Sequence, residues 1–489
     1  MNKNLFLTLS AFLFLFPLSG KATGTYRPET SVAGFIQLPG SGRQVYDFNP
    51  GWRFFKGDIS GAETVNFDDR SWEVVSTPHT VELMPAEASG CRNYQGPVWY
   101  RKHFVVPAET KGQRVSIHFE AAMGKQILYL NGKRIQEHIG GYLPFTLDLT
   151  TYGVQAGDSC LLAVFADNSD DKSYPPGKRQ YTLDFTYHGG IYRDVWMIAK
   201  SPISITDAIE SQTVAGGGVF VHFDQISEKS AQVCVNTEVQ NENTRSESVI
   251  VETTLTDADG KIIRRISGKL SLQSGEKKII RQQMEVKNPK LWSPDTPYLY
   301  RVQSRLKKGN QSIDGGITRV GIRLAEFRGK DGFWLNGKPF GQLVGANRHQ
   351  DFAYVGNALP NSQQWRDAKR LRDAGCTIIR TAHYPQDPSF MDACDELGLF
   401  VIVATPGWQY WNKDLQFGEL VHRNTREMIR RDRNHPSVLM WEPILNETRY
   451  PLDFALKALD ITKDMPETER SLPAAPTAFR AKIRISRVQ

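Results

Sequence analysis

The chain has 489 residues, of which 40% are hydrophobic and 23% charged, and its formal net charge is +7. This length exceeds what a single core organises, and the ordinary composition excludes disordered and fibrous classes for most of the chain. Basic residues are mostly interleaved with acidic ones, so we expect no nucleic-acid partner, whereas an anionic polysaccharide is compatible with the charge.

Residues 1–22 have the layout of a secretory signal peptide. Lys3 supplies the positive charge of the N-terminal region, and residues 5–18 form an apolar run. Residues 20–22 offer a cleavage site with small side chains. The run is short for a membrane span, so a stable membrane anchor is the less favoured alternative. We therefore expect a secreted or periplasmic protein.

The cysteines are few, odd in number and widely spaced. They are Cys91, Cys160, Cys234, Cys376 and Cys394. Their spacing indicates neither a disulfide framework nor a zinc-binding pattern, and we expect most of them to be small buried side chains.

Residues 45–200 are predicted to form a jelly-roll β-sandwich. Short alternating runs indicate strands at residues 98–106, 114–119, 126–130, 160–166 and 195–199. The pair Asn131-Gly132 between two such runs is a strong hairpin signal. Many short strands separated by turn residues are typical of a sandwich or jelly roll.

Residues 202–325 are predicted to form an immunoglobulin-like β-sandwich. Candidate strands lie at residues 233–239, 248–255, 278–286 and 298–306. Residues 257–260 form the turn between two of them. This size and strand rhythm are typical of a small sandwich domain.

Residues 326–465 change to alternating strands and helices. Strands are predicted at 344–346, 377–380, 399–403 and 438–441, and helices at 361–374, 389–397 and 417–431. This alternation predicts a parallel sheet, and four such units make the N-terminal half of a (β/α)8 barrel. Residues 466–489 form an atypical, arginine-rich tail with no helical or strand period.

Polar and aromatic residues follow each of these strands. In a barrel, the groups that react lie at the carboxyl ends of the strands. The candidates are Asn347 and His349, Arg380 and His383, Trp408, and Asn446 and Glu447. Each has a structural alternative, such as a hydrogen-bonded histidine or a packed tryptophan, but together they suit a carbohydrate site.

Several motifs in order resemble glycoside hydrolase family 2, the β-galactosidase and β-glucuronidase family. Residues 434–441 (NHPSVLMW), ending at Asn446 and Glu447, resemble its acid/base signature. Residues 345–349 (GANRH) and 380–385 (RTAHYP) resemble its barrel, residues 96–101 and 189–195 its sugar-binding domain, and residues 291–300 its sandwich. The resemblance runs from about Tyr46 to Asp460.

The resemblance implies a role for each candidate. Glu447 would be the general acid/base, and Asn446 would hydrogen-bond the sugar 2-hydroxyl. His349 and His383 would line the subsite for the terminal sugar, and Asp167 would reach it from the jelly roll. Asn347 and Trp408 would also contact the substrate, and Arg380 would support the acid/base region.

Three departures from the family pattern matter. No acidic residue occurs in residues 404–407, where some relatives bind magnesium, so we expect no metal site of that type and no cofactor. Glu442 is a second candidate for the acid, less favoured because it does not follow an asparagine. The family's nucleophilic carboxylate comes from a late barrel strand, which suggests that the chain is C-terminally truncated and inactive alone.

The expected activity is hydrolysis of terminal β-linked sugars with retention, with β-galactosidase preferred and β-glucuronidase as the alternative. A third hypothesis is a non-catalytic carbohydrate-binding fragment. The expected partner is an oligosaccharide or polysaccharide. The sequence is compatible with an oligomer and does not predict the oligomeric state.

Overall fold

The computed structural model describes residues 36–84 and 93–464. The predicted signal peptide, the atypical tail and Cys91 therefore lie outside the described residues. Within them, two β-sandwiches are followed by four parallel β/α units, which is the predicted fold class. No helix of this part of the chain is long and apolar enough to cross a lipid bilayer.

The first domain is a sandwich of two antiparallel sheets. Its sheets have the orders β1-β10-β5-β8 and β3-β2-β4-β9-β6-β7. The strands are β1 Gln44–Asp47, β2 Trp52–Lys56, β3 Glu73–Val75, β4 Pro97–Val105, β5 Arg114–Phe119, β6 Gly124–Leu130, β7 Lys133–Gly140, β8 Phe145–Asp148, β9 Ser159–Asp167 and β10 Val195–Lys200. Trp52, Tyr100 and Phe119 lie in the core between the sheets.

The second domain is a smaller antiparallel sandwich. One sheet has the order β11-β13-β12 with β16 also paired to β13, and the other has the order β15-β14-β17-β18. The strands are β11 Ile203–Ile205, β12 Val219–Asp224, β13 Ser230–Asn241, β14 Glu247–Thr256, β15 Ile262–Leu272, β16 Lys277–Lys287, β17 Tyr300–Lys308 and β18 Gln311–Val320. Val233, Leu255 and Val302 are fully buried between the sheets.

The third part begins with a small antiparallel sheet and continues as a parallel one. The small sheet is β19 Ala325–Phe327, β20 Phe333–Leu335 and β21 Lys338–Pro339. The parallel sheet, in the order β22-β23-β24-β25, is β22 Gly345–Arg348, β23 Ile378–Thr381, β24 Phe400–Ala404 and β25 Val438–Glu442. The helices are α1 Asn361–Asp373, α2 Pro388–Leu397, α3 Leu415–Asp432 and α4 Leu452–Asp464.

Local sequence explains where these elements begin and end. The side chains of Asp387 and Asp414 cap α2 and α3 by accepting hydrogen bonds from Ser389 N (2.8 Å) and Gln416 N (2.9 Å). Gly398 ends α2 in the left-handed region, with φ 72°. A Cβ there would lie 2.2 Å from Pro294 O, so the glycine also lets the second domain approach the barrel closely.

The first domain docks on the parallel sheet through the long connection between β9 and β10. Buried Arg193 donates from Nη2 to Gln350 Oε1 and to Pro385 O, each at 2.9 Å. Tyr142, in the loop between β7 and β8, also stacks on Tyr384, with ring centroids 4.1 Å apart. The hydrogen bonds of Arg193 bring the connection between β9 and β10 to the carboxyl ends of the parallel strands.

Candidate active site

The carboxyl ends of the four parallel strands collect the polar residues that the sequence predicted there. Adjacent parallel strands end at one edge of the sheet, so the segments that follow them are neighbours. This rim holds Asn347 in β22 and His349 after it, Arg380 in β23 and His383 after it, Trp408 after β24, and Asn446 and Glu447 after β25.

Glu447 is exposed at the rim and is held by two neutral donors. Gln409 Nε2 donates to Glu447 Oε2 at 2.7 Å, and Trp408 Nε1 donates to the same oxygen at 3.1 Å. The hydrogen bond from Gln409 is the largest effect on the pKa of Glu447, and with the hydrogen bond from Trp408 it holds this pKa below its ordinary value although burial opposes them. The surroundings therefore favour the carboxylate form.

The loops after β24 and β25 are joined through their backbones, which fixes this contact. Trp408 and Asn446 form a parallel β-bridge, and Gln409 N donates to Asn446 O at 3.0 Å. Gln409 has a positive φ of 49° and Glu447 has a positive φ of 48°, so both side chains project from tight turns of the backbone. The pairing sets Trp408 and Gln409 directly against Glu447.

The ring of Trp408 is enclosed and does not form an open platform. Its exposed fraction is 9%. His383 lies parallel to it, with centroids 6.0 Å apart, and Lys178 Nζ lies 3.5 Å from its centroid. The structure thus equips Trp408 to orient Glu447 through its indole N–H.

Arg380 and Glu442 form an ion pair beside this cluster. Arg380 Nε and Nη2 donate to the two carboxylate oxygens of Glu442, each at 2.7 Å. Arg380 Nη1 also donates to Asn347 Oδ1 at 3.4 Å. Both oxygens of Glu442 are thus engaged by a guanidinium, whereas those of Glu447 face neutral donors and solvent.

His349 and His383 lie together on the inner side of the rim. Their ring centroids are 5.9 Å apart, and Phe185 stacks on His349 at 4.9 Å. Burial, then the positive charge of Arg380, lowers the pKa of His383 to about 3; burial also lowers the pKa of His349. The buried Nδ1 of His383 has no hydrogen-bond partner among the described residues, and a sugar hydroxyl or a water would satisfy it.

The first domain contributes Lys178 and Phe185 to the cluster. Lys178 Nζ donates to Gln409 Oε1 at 2.7 Å, so a chain of hydrogen bonds runs from Lys178 through Gln409 to Glu447. Asp167 lies further back, at the end of β9, where its Oδ1 accepts from Ser169 N at 2.8 Å. Its role at the sugar subsite stays a prediction.

Sequence reasoning missed Gln409, Lys178 and Phe185. Gln409 adjoins the predicted Trp408, but its contact depends on the backbone pairing between two loops. Lys178 and Phe185 come from a connection without strand or helix periodicity, and its docking on the barrel has no local sequence signal. Residues 404–407, which are the last residue of β24 and the three that follow it, carry no carboxylate, and the expected lack of a magnesium site there stays a prediction.

Family models match the chain along three successive segments. The model described as "Glycosyl hydrolases family 2, sugar binding domain" matches residues 56–202. "Glycosyl hydrolases family 2" matches residues 217–323, and "Glycosyl hydrolases family 2, TIM barrel domain" matches residues 327–470. These segments correspond to the two sandwiches and the parallel β/α units.

Individual relatives carry two different names. A "Beta-galactosidase" of Thermoanaerobacter pseudethanolicus is 35% identical over 90% of this chain and 56% of its own length. A "Beta-glucuronidase" of Formosa agariphila is 31% identical over 83% of this chain and 42% of its own length. A solved "beta-glucuronidase from glycoside hydrolase family 2" superposes with a TM-score of 0.82 at 29% identity, covering 90% of this chain and 47% of that one. The chain therefore spans about half the length of these relatives.

Proposed function

Because the chain belongs to glycoside hydrolase family 2, we propose that the rim cluster serves the hydrolysis of terminal β-linked sugars by the retaining, two-carboxylate mechanism. Glu447 acts as the general acid/base: it protonates the glycosidic oxygen as the leaving group departs and then deprotonates the water that attacks the glycosyl intermediate.

The different surroundings of Glu447 and Glu442 carry this assignment. An acid/base needs a carboxyl that can gain and lose a proton while it reaches a substrate oxygen. Glu442 has both oxygens bound to Arg380, so it is poorly placed for either task. Glu447 is exposed and bound to neutral donors, and Trp408 and Gln409 fix its direction.

The neighbouring residues bind and orient the sugar in this proposal. Asn446 hydrogen-bonds the 2-hydroxyl, a contact that strengthens at the transition state. His349 and His383, both neutral at pH 7, exchange hydrogen bonds with other hydroxyls. Asn347 and Asp167 extend the polar lining.

The second carboxylate of the pair lies outside the four described β/α units in this proposal. A retaining nucleophile is about 5 Å from the acid/base. The lowered pKa of Glu447 is the opposite of what a general acid needs at neutral pH. A second negative charge at that distance would raise it. The described units alone therefore bind sugar and do not complete the reaction.

We favour galactose over glucuronate as the terminal sugar. Recognition of a uronate needs a cation that is available to the ligand carboxylate. Among the described residues, the cations in contact with the cluster are Arg380, which is engaged by Glu442, and Lys178, which is engaged by Gln409 and the face of Trp408. Relatives of both names match the chain, so β-glucuronidase is the second candidate.

We also propose export through cleavage of residues 1–22, which mass spectrometry of the mature N-terminus would test.

The test is an assay of the purified chain with aryl β-galactoside and aryl β-glucuronide, together with a measurement of sugar binding. We expect saturable binding, stronger for the galactoside, without turnover. Turnover that Glu447→Gln abolishes would support the acid/base and contradict the proposed position of the second carboxylate. Turnover that only Glu442→Gln abolishes would contradict the assignment of Glu447. Binding of neither sugar would contradict the proposed function.

A further inference from the structure

Three residues of the second domain gather donor atoms of three kinds on the outer face of one sheet. His222 of β12 lies directly opposite Cys234 of β13, and Asp224 follows His222 by two residues on the same face. The alternate residues Val221 and Phe223 point the other way, into the core of the sandwich. Two paired strands thus hold an imidazole, a carboxylate and a thiol together.

The separation of two of these donor atoms matches that of neighbouring ligands on a tetrahedral metal ion. One donor atom from each side chain lies within 4.8 Å of the others. Cys234 Sγ lies 3.4 Å from Asp224 Oδ2. Zinc binds thiolate sulfur at about 2.3 Å and carboxylate oxygen at about 2.1 Å, so two such ligands at a tetrahedral angle are about 3.6 Å apart. The observed separation is close to this value without rearrangement.

The donor set and its burial indicate the class of ion. Sulfur and imidazole ligands select zinc and similar borderline divalent cations over calcium or magnesium, which prefer oxygen. His222 and Cys234 are 7% and 3% exposed, while Asp224 is half-buried and leaves an approach from solvent. We propose that His222, Asp224 and Cys234 form a binding site for a divalent cation of the zinc class, with a water as the fourth ligand.

Binding displaces one proton. A thiol binds such a cation as the thiolate, so Cys234 loses its S–H proton when the cation binds. The thiolate forms its bond to the cation as the S–H proton leaves to solvent, and no electron is transferred. Affinity therefore increases as the pH rises.

A second group of three possible metal-binding side chains is already satisfied by ion pairs, so we do not propose a metal site there. Asp392, Asp395 and His435 also lie within reach of one another. Arg319 Nη2 already lies 2.8 Å from Asp392 Oδ1. Although burial opposes it, the charge of Asp395 raises the pKa of His435 to about 9, so this histidine is a cation in an ion pair. Internal charges satisfy that group, and it has no need of a metal.

The ion would reinforce the contact between the second domain and the barrel. Asn434, just before β25, accepts from Val221 N at 2.9 Å and donates to Val219 O at 2.8 Å. Both residues belong to β12. A metal that joins β12 to β13 stiffens the strand on which this loop docks, so we expect it to raise the thermal midpoint of the whole chain.

The test is titration of the purified, reduced chain with Co²⁺, which reports thiolate ligation by a near-ultraviolet charge-transfer band, followed by competition with Zn²⁺. We expect one equivalent of Co²⁺ to bind with this band and with release of about one proton per ion at neutral pH, and we expect Zn²⁺ to displace Co²⁺ and remove the band without further proton release. Cys234→Ser should remove the band, and His222→Gln or Asp224→Asn should weaken binding at least about tenfold.

Cys376→Ser is the matched control, because Cys376 is a half-buried cysteine of the barrel. It should leave the band intact. Absence of a thiolate band in the native chain, or a band that survives Cys234→Ser, would overturn the proposal. Circular dichroism of each variant separates loss of the site from loss of the fold.

Discussion

The guanidinium of Arg380 binds both carboxylate oxygens of Glu442 at 2.7 Å, so the ends of β23 and β25 are joined across β24. The side chains are 20% and 10% exposed, which shields the pair from most of the solvent. This ion pair fixes the spacing of the strands that precede His383 and Glu447, and it also engages the Glu442 carboxylate so that it is poorly placed for the acid/base role.

Arg380→Met should therefore destabilise the chain. It leaves the Glu442 carboxylate partly buried without its partner, which typically costs about 3 kcal/mol in the free energy of unfolding. Urea denaturation measures this change. Lys369→Met is the matched control, because Lys369 pairs with Asp373 on the exposed face of α1 and such pairs contribute about 0.5 kcal/mol or less. Equal effects of the two substitutions would contradict the structural role of the Arg380–Glu442 pair.

Gln409→Leu should raise the pKa of Glu447. The hydrogen bond from Gln409 is the largest cause of the lowered pKa, and leucine retains the bulk without the donor. Titration of the Glu447 side-chain carboxyl by ¹³C NMR measures the shift directly. A pKa that stays the same or falls would show that Gln409 does not hold Glu447 in solution.

Trp408→Phe should raise the same pKa by a smaller amount. The indole N–H donates over 3.1 Å, compared with 2.7 Å for Gln409, and phenylalanine keeps an aromatic ring beside His383. Trp411→Phe is the control, because Trp411 packs on Phe417 and Phe454. If Trp411→Phe shifted the carboxyl as much as Trp408→Phe, the orienting role of Trp408 would be wrong.

The stability of the chain should fall in mild acid, in part because of His383. Its pKa is lowered from 6.5 to about 3, so between these pH values the unfolded chain binds a proton at His383 and the folded chain does not. This contribution is fully present above pH 6.5 and is lost as the pH falls towards 3. His383→Gln should make the loss between pH 7 and pH 5 smaller by about 2 kcal/mol.

His435 should show the opposite sign. Its pKa is raised to about 9, so its contribution is present in acid and is lost as the pH rises through 9. His435→Gln should therefore flatten the stability profile between about pH 6.5 and pH 9. Denaturant unfolding at pH 5, 7 and 9.5 tests both histidines, and a loss of stability between pH 7 and pH 9.5 that is unchanged in His435→Gln would contradict the ion pair with Asp395.

Much of the fold was predictable because local patterns and topology agree. The Asn131-Gly132 turn joins β6 and β7 with both residues at positive φ, as a two-residue hairpin requires. Strand β5 has the predicted bounds, and β24 and α2 differ from prediction by one residue. Helix α4 was missed, although Pro451 directly precedes it and Asp453 lies in its first turn.

The rim residues were predictable for a different reason. The carboxyl ends of parallel strands converge, so Arg380, His383 and Glu447 could be expected together from strand positions alone. The contact between Lys178 and Gln409 could not, because it depends on how two domains dock. The same limit applies to His222 and Cys234, whose spacing along the chain shows no metal pattern until β12 pairs with β13.

The most direct test of the central claim is calorimetric titration of the purified chain with a galacto-configured iminosugar, whose ring ammonium mimics the positive charge of the transition state. If Glu447 is the acid/base facing the sugar, we expect one binding site and a loss of affinity of about tenfold or more in Glu447→Gln, because a desolvated charge-assisted hydrogen bond contributes about 1.5–3 kcal/mol. Glu419→Gln, on the exposed face of α3, should bind as the native chain does. Unchanged affinity in Glu447→Gln, with the loss appearing in Glu442→Gln instead, would contradict the account.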